Sequence, residues 1–436
     1  MQKRNSTTKN AMWIISCKIV QSVLGMVVSI LSARYLGPSN YGLISYAASI
    51  VAFVLPIVQL GFRSTLVSEI VDNPDKEGEI VGTSLFFNAL SSIACMIGVF
   101  AFVYVANPNE RTTVIVCALY SISLFAQALE MISYWYQAKM IAQYTSLTGL
   151  AAYAIMTAYR IYLLVTEKSV YWFAVSHTLD CLIIAIVLIV FYLKLCNQRL
   201  KVSLKRFCQM FAKSKFFIVS SLMVTIFAQT DKIMLKSMMS EEAVGIYSAA
   251  VTCAGLTSFV FSAIIDSFRP TVFENKKVSK QAYEKSLASC YSVVIYLSLV
   301  QSLACTLFSK FIIQLLYGID YSASAAVLGL VVWYTTFSYL GPIRNIWILA
   351  ENKQKYLWII NLFGAATNVV LNAILIPSMG VMGAALASLI TQIFTNVIVG
   401  FIMKPIRYNN RLMLQGCNPK PLINYARQFA TRLRRN

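Results

Sequence analysis

Residues 216–235 read FFIVSSLMVTIFAQTDKIML. Up to Thr230 the run carries no charge, and its length is what a helix needs to cross about 30 Å of hydrocarbon. Asp231 and Lys232 then follow side by side. A charge at the bilayer centre costs at least ~3 kcal/mol, so a chain that places two in such a run must give them partners or a hydrated space. Composition extends the reading to the whole chain. Of 436 residues, 58% are hydrophobic and 12% charged, against roughly 25% charged in soluble domains. The expected fold class is an all-α polytopic membrane protein. The ten cysteines are scattered through apolar stretches without a C-x-x-C pair, so neither a disulfide frame nor a zinc site is expected. The start, MQKRNSTTKNAMWII (1–15), is basic but has no cleavage pattern after a short apolar core. It leads into a full-length span and is expected to be retained.

Apolar runs of this length recur about twelve times. They fall at 11–36, 41–62, 80–106, 112–137, 140–165, 169–193, 216–238, 244–267, 286–308, 322–349, 355–376 and 380–402. Connections such as GPSN (37–40) and PSMG (377–380) are short enough to demand tight turns between antiparallel neighbours. With a cytoplasmic N-terminus, only Arg111, Lys168 and Lys310 of the 37 basic residues fall in outer loops, as the positive-inside rule requires. An even span count returns the C-terminus to the same side. The segments 194–215 and 403–436 are rich in Lys and Arg and hold no acidic residue. The net charge of +20 is thus a membrane-surface signal rather than a nucleic-acid one, since anionic lipids reward each surface base by ~1 kcal/mol. In 194–215, Leu200, Leu204, Phe207 and Phe211 recur at helical spacing among lysines, which predicts an amphipathic helix on the inner surface.

That basic segment separates two sets of six spans, and the sets look alike. ARYLGPSNYGLISYAAS (33–49) and LKSMMSEEAVGIYSAAV (235–251) share a Gly, Tyr, Ala-Ala core with a one-residue slip. The predicted organisation is a six-helix bundle over 1–193, the basic linker 194–215, a second six-helix bundle over 216–402, and a basic cytoplasmic tail, 403–436. Paired bundles about a central cavity are a common transporter plan.

ARYLGPSNYGLISYAASIVAF (33–53), GF (61–62), TDKIML (230–235), VGIYSAAV (244–251), FRPTVFE (268–274) and GVMGAALAS (380–388) resemble the polysaccharide-transporter family. These are the Wzx-type O-antigen and capsule flippases, in the superfamily that also holds the MATE exporters. The likeness runs from residue 10 to about 405 and is strongest over the first 75 residues. It implies a multi-pass protein of the bacterial cytoplasmic membrane with both termini cytoplasmic. It also implies a cargo of oligosaccharide on undecaprenyl diphosphate, moved by alternating access through a cationic cavity. Membrane lipids, polysaccharide polymerase machinery and a coupling ion, H+ or Na+, are the further partners it implies.

Polar residues recur at steps of three and four in several spans, which places them on single helix faces. These stripes are Lys18, Ser22, Gly25, Ser29 and Ser32; Gln127, Glu130, Tyr134 and Gln137; Tyr153, Thr157 and Arg160; Ser221, Thr225, Gln229, Lys232 and Lys236; and Asn361, Asn368 and Asn372. Such stripes either bond between helices, at ~0.6 kcal/mol apiece, or line a hydrated interior. Lys18, Arg34, Glu130, Arg160, Asp231, Lys232, Arg344 and Asn368 are the expected substrate-cavity residues. Lys236 and Arg34 lie within a turn of an outer end and could snorkel instead. Asp231 and Lys232 point ~100° apart on a helix. The expectation is Lys232 facing the cavity and Asp231 paired with a cation on a neighbouring helix, the alternative being Asp231 as a site for a coupling proton or sodium. A guanidinium fork matches phosphate oxygens, and lysine serves as a point charge. An outward-moving anion gains ~2.3 kcal/mol per charge per 100 mV in a cell negative inside.

Two other classes are open to such a chain. A MATE-like, cation-coupled multidrug exporter would favour acids in its cavity. Here the bases Lys18, Arg34, Arg160, Lys232, Lys236 and Arg344 outnumber the acids Glu130, Asp180, Asp231 and Asp266. A membrane enzyme could use His177 and Asp180, which share a helix face and could exchange a proton. No nucleophile motif accompanies them, and a packing histidine is expected. With no G-x-x-x-x-G-K-[ST], no nucleotide site and no cofactor are expected.

Overall fold

The computed structural model describes the backbone from residue 2 to 420, with side chains at Gln21 and from Leu24 onward. The side chains of Lys18 and Ser22 of the first polar stripe, and the tail beyond Lys420, lie outside what is described. Among those described, every regular element is helical. Eleven helices among the described residues are long and apolar enough to cross a membrane. The first is α1, Gln2–Val58. There follow α2 (Pro74–Ala106), α3 (Arg111–Ala138), α4 (Gln143–Val165), α5 (Val170–Leu195) and α6 (Leu204–Met238). The others are α7 (Glu241–Val278), α8 (Lys280–Leu307), α9 (Ser324–Ala350), α10 (Gln354–Met379) and α11 (Val381–Ile402).

Eleven rods accommodate twelve sequence spans because α1 is two helices. Gly37 breaks it with φ 71° and ψ 172°, a backbone conformation open to glycine and closed to most residues. Pro38 cannot donate to a helix behind it and suits the first position of a new one. Ser29 Oγ and Tyr41 Oη lie 3.4 Å apart, whereas twelve residues of straight helix would separate them by about 18 Å. The GPSN segment is therefore a sharp turn between spans. α6 begins on an N-cap, where Ser203 Oγ accepts from the Arg206 amide at 3.2 Å. It then runs for 35 residues, about 52 Å, well beyond the ~30 Å of hydrocarbon. Its first turns and the apolar run 216–235 are thus one rod, and residues 196–203 before it are not helical.

The chain packs as two units, Met1–Gly245 and Ile246–Asn436. In the first, the core includes Phe62, Leu66, Ile70, Ile80, Trp135, Tyr192 and Met210. The segment before α6 is stitched onto the start of α2. Gln198 Nε2 donates to the Pro74 carbonyl (2.9 Å), the Gly78 amide to Gln198 Oε1 (3.0 Å), and the Ser203 amide to Thr83 Oγ1 (3.1 Å). The bases nearby meet carboxylates: Lys139 with Glu77 at 2.6 Å, Arg206 with Glu79 at 3.7 Å, and Lys213 with Glu69. These pairs draw part of the basic segment into the protein rather than leaving it all to lipid headgroups.

The repeated glycine motif has a packing cause within this first unit. A Cβ on Gly42 would sit 1.7 Å from the Glu241 carbonyl oxygen, and one on Gly245 would sit 1.9 Å from that of Pro38. The two helix starts cross in matching register, each glycine under the other's carbonyl, at a distance only hydrogen permits.

The second unit is organised around Phe261, Phe268, Tyr283, Tyr291, Ile343 and Trp347. A short helix after the last span, α12 (Arg407–Gly416), joins this core through Leu412 and Met413. Tyr291 Oη donates to Asn409 Oδ1 at 2.9 Å, and Tyr408 Oη bonds to Glu284. The start of the basic tail is thereby folded against α8.

Candidate functional site

In the first unit, Arg160 leaves α4 and meets α5. Its Nε donates to Ser176 Oγ at 3.2 Å, and Nη2 lies 3.9 Å from Asp180 Oδ2. Ser176 can accept because its own hydroxyl hydrogen is spent on the Phe173 carbonyl at 2.7 Å. The other carboxylate oxygen, Asp180 Oδ1, is buried without a hydrogen bond among the described residues. Glu130 on α3 is half-buried in the same unit. His177 stacks on Tyr120 of α3, with ring centroids 4.4 Å apart and planes 12° from parallel. That stack explains the lone histidine as a helix-packing residue.

On α6, Asp231 is buried and Lys232 half-buried. No carboxylate lies within ion-pair distance of Lys232 among the described residues. One turn on, Lys236 does not snorkel. Its side chain is 3% exposed, and its ammonium donates to Glu110 Oε2 at 2.6 Å and Glu241 Oε2 at 2.9 Å. This triad ties the loop before α3 to the turn between α6 and α7. Arg34 is exposed on the first limb of α1.

In the second unit, Arg344 is 6% exposed on α9. Its Nη1 donates to the Thr395 carbonyl at 2.8 Å and to Asn396 Oδ1 at 3.0 Å. Phe394–Ile398 is a π-helical turn in α11, and such a turn changes the carbonyl spacing of the helix that carries it. Asn396 is held in turn by Gln392 Oε1, which accepts from its Nδ2 at 2.6 Å. The guanidinium is therefore held by neutral acceptors, and its Nε is buried with no hydrogen bond among the described residues. Asn368 and Asn372 are fully buried on α10, with Asn372 Nδ2 donating to Asn368 Oδ1 at 3.1 Å.

Of the described residues expected at the site, Arg34, Glu130, Arg160, Asp231 and Lys232 fall in the first unit, and Arg344 and Asn368 in the second. Arg160 finds Asp180 and Ser176, while Asp231 and Lys232 diverge as adjacent helical residues must. The sequence reading overlooked Gln392, Thr395 and Asn396 around Arg344. Their signal was present in the 1, 4, 5 spacing of polar groups that places them on one face. It also overlooked Glu110 and Glu241 as partners of Lys236.

Residues 7–276 match the family model described as Polysaccharide biosynthesis protein. The capsular polysaccharide biosynthesis protein CapF of Staphylococcus aureus is 22% identical over 392 residues, 88% of this chain and 96% of that protein. Among solved structures, the lipid II flippase MurJ in an inward closed conformation aligns with a TM-score of 0.74 at 16% identity. That alignment covers 93% of this chain and 90% of MurJ. An inward-facing multidrug resistance MATE family transporter aligns with a TM-score of 0.69 at 12% identity, over 91% of this chain and 96% of its own. At these identities the structural likeness establishes the fold.

Proposed function

The chain belongs to the polysaccharide biosynthesis protein family, and from that membership we propose that it translocates undecaprenyl-diphosphate-linked oligosaccharide repeat units. The membrane would be the bacterial cytoplasmic one, with both termini on the cytoplasmic side and the product passed to polysaccharide polymerase machinery. The observation that carries the reading is the state of the cations within the spans. Lys232 on α6 and buried Arg344 on α9 lack a carboxylate within ion-pair distance among the described residues. Keeping such charges in a membrane is expensive unless something anionic visits them. A diphosphate does so, and a guanidinium or ammonium is its natural partner. Arg160 contributes further positive charge, moderated by Asp180. Alternating access, with or without a coupling ion, is the transport mode we assign.

The test reconstitutes purified protein in vesicles with a fluorescent undecaprenyl-diphosphate oligosaccharide. Its accessibility from the opposite leaflet is followed with and without imposed proton and sodium gradients. Protein-dependent movement that is lost in Arg344→Gln and Lys232→Gln supports the proposal. A buried acid within a span, Asp231, favours a second reading as a cation-coupled multidrug exporter. Efflux of a cationic dye without movement of the glycolipid would replace the first reading by the second.

A further inference from the structure

We infer that the half-open cavity beside the Gln59–Ser64 turn is a docking site for a phosphoryl group on a lipid headgroup. Resting on the translocation reading, it is the place where the lipid-linked cargo's diphosphate first engages the protein. The cavity measures about 260 Å³ and lies between the second limb of α1 and α6, within the first unit. Its polar lining is Gln59, Arg63, Ser64, Ser220, Ser221 and Thr225. That set combines one guanidinium with serine hydroxyls and an amide, which together suit phosphate oxygens, while the Thr225 hydroxyl donates to the Ser221 carbonyl at 2.9 Å. Pro56 also lines it, and the missing N–H of a helical proline leaves the carbonyl four residues back, at Ala52, without its donor. Ala52 lines the same cavity.

Arg63 is the basic residue of the cavity lining. Three carboxylates of the neighbouring segments are engaged elsewhere, Glu69 by Lys213 and Arg206, Glu77 by Lys139, and Glu79 by Arg206, while Asp72 and Asp75 are exposed. Arg63 has no ion pair among the described residues. The turn that presents it is built rather than loose. Leu60 and Gly61 both have positive φ, 50° and 69°, and a left-handed non-glycine residue persists only where its surroundings enforce it. Here Ser214 Oγ donates to the Leu60 carbonyl at 2.9 Å. A Cβ on Gly61 would meet the Ser214 carbonyl oxygen at 2.4 Å, so α6 presses directly on the turn and fixes where Arg63 emerges. Ser220 and Ser221 follow within two turns of the same helix.

The test measures binding of undecaprenyl diphosphate to the full-length protein in nanodiscs, with phosphatidylglycerol and inorganic pyrophosphate as competitors. Arg63→Gln is expected to weaken binding at least tenfold at unchanged thermal stability, Arg63→Lys to recover part of it, and Ser220→Ala with Ser221→Ala to weaken it severalfold. Lys215→Gln, which removes a neighbouring surface charge outside the cavity, is expected to stay within twofold. Wild-type affinity in Arg63→Gln, or an equal loss in Lys215→Gln, overturns the site. Competition by phosphatidylglycerol at equal strength overturns the cargo assignment and leaves a bulk-lipid phosphate site. The two readings separate in the vesicle assay. Translocation by wild type together with normal binding in Arg63→Gln sinks the docking site alone, whereas Arg63-dependent binding without translocation sinks the transport reading alone.

Discussion

Lys236→Met removes the ammonium that Glu110 and Glu241 share, and the structure sets the size of the effect. The lysine side chain is 3% exposed, while the carboxylates are 43% and 35% exposed. Breaking a fully buried pair from one side costs ~3–5 kcal/mol, and an exposed pair is worth ~0–1 kcal/mol. Because both acids reach water and rehydrate in part, the expected loss lies between those limits, at about 2–3 kcal/mol. That corresponds to a drop in Tm of roughly 4–12 °C for units of this size, read by thermal unfolding in detergent or nanodiscs. Two uncompensated carboxylates cause the loss, so the compensated variant Lys236→Met/Glu110→Gln/Glu241→Gln should recover most of it. The reasoning is refuted if Lys236→Met is as stable as wild type. It is equally refuted if the compensated variant is no better than the single one, since the cost would then come from packing rather than charge.

Gly42→Ala and Gly245→Ala each push a methyl into a carbonyl at under 2 Å and should each destabilise by about 3 kcal/mol. Gly98→Ala, with nothing within 4 Å of its added Cβ, should leave the melting curve in place. Arg344→Met strands the Thr395 carbonyl and the Asn396 amide oxygen inside the second unit, at ~1–3 kcal/mol for each unsatisfied group. Arg344→Lys should also lose transport, because an ammonium does not reproduce a planar fork, and parallel melting and flipping assays would separate the two effects. Arg160→Ala should slow translocation and lower stability by about 1–3 kcal/mol through the stranded Asp180. Adding Asp180→Asn should restore stability without restoring transport, and simultaneous recovery of both would remove Arg160 from the transport path.

Hydropathy and small-residue punctuation were legible along the chain because the hydrophobic effect and helix geometry act locally. Each apolar run needs only its own length to reveal a span, and Gly37 before Pro38 announces a break without reference to any neighbour. The resemblance of the quoted motifs likewise lay in the linear text and agrees with the family match. Partners were not legible. Lys236 meets Glu110 across 126 positions, and Arg344 meets Asn396 across 52. Such pairings depend on the rotation of each helix about its axis and on which helix stands beside it, which periodicity alone does not encode. Lys236, near a span end, had two open fates in the sequence, snorkelling or facing a cavity, and packing supplied a third. The Gly, Tyr, Ala-Ala repeat was visible as a pattern of letters. Only the crossing of the two helix starts showed that Gly42 and Gly245 are glycines because a carbonyl occupies the space where a side chain would begin.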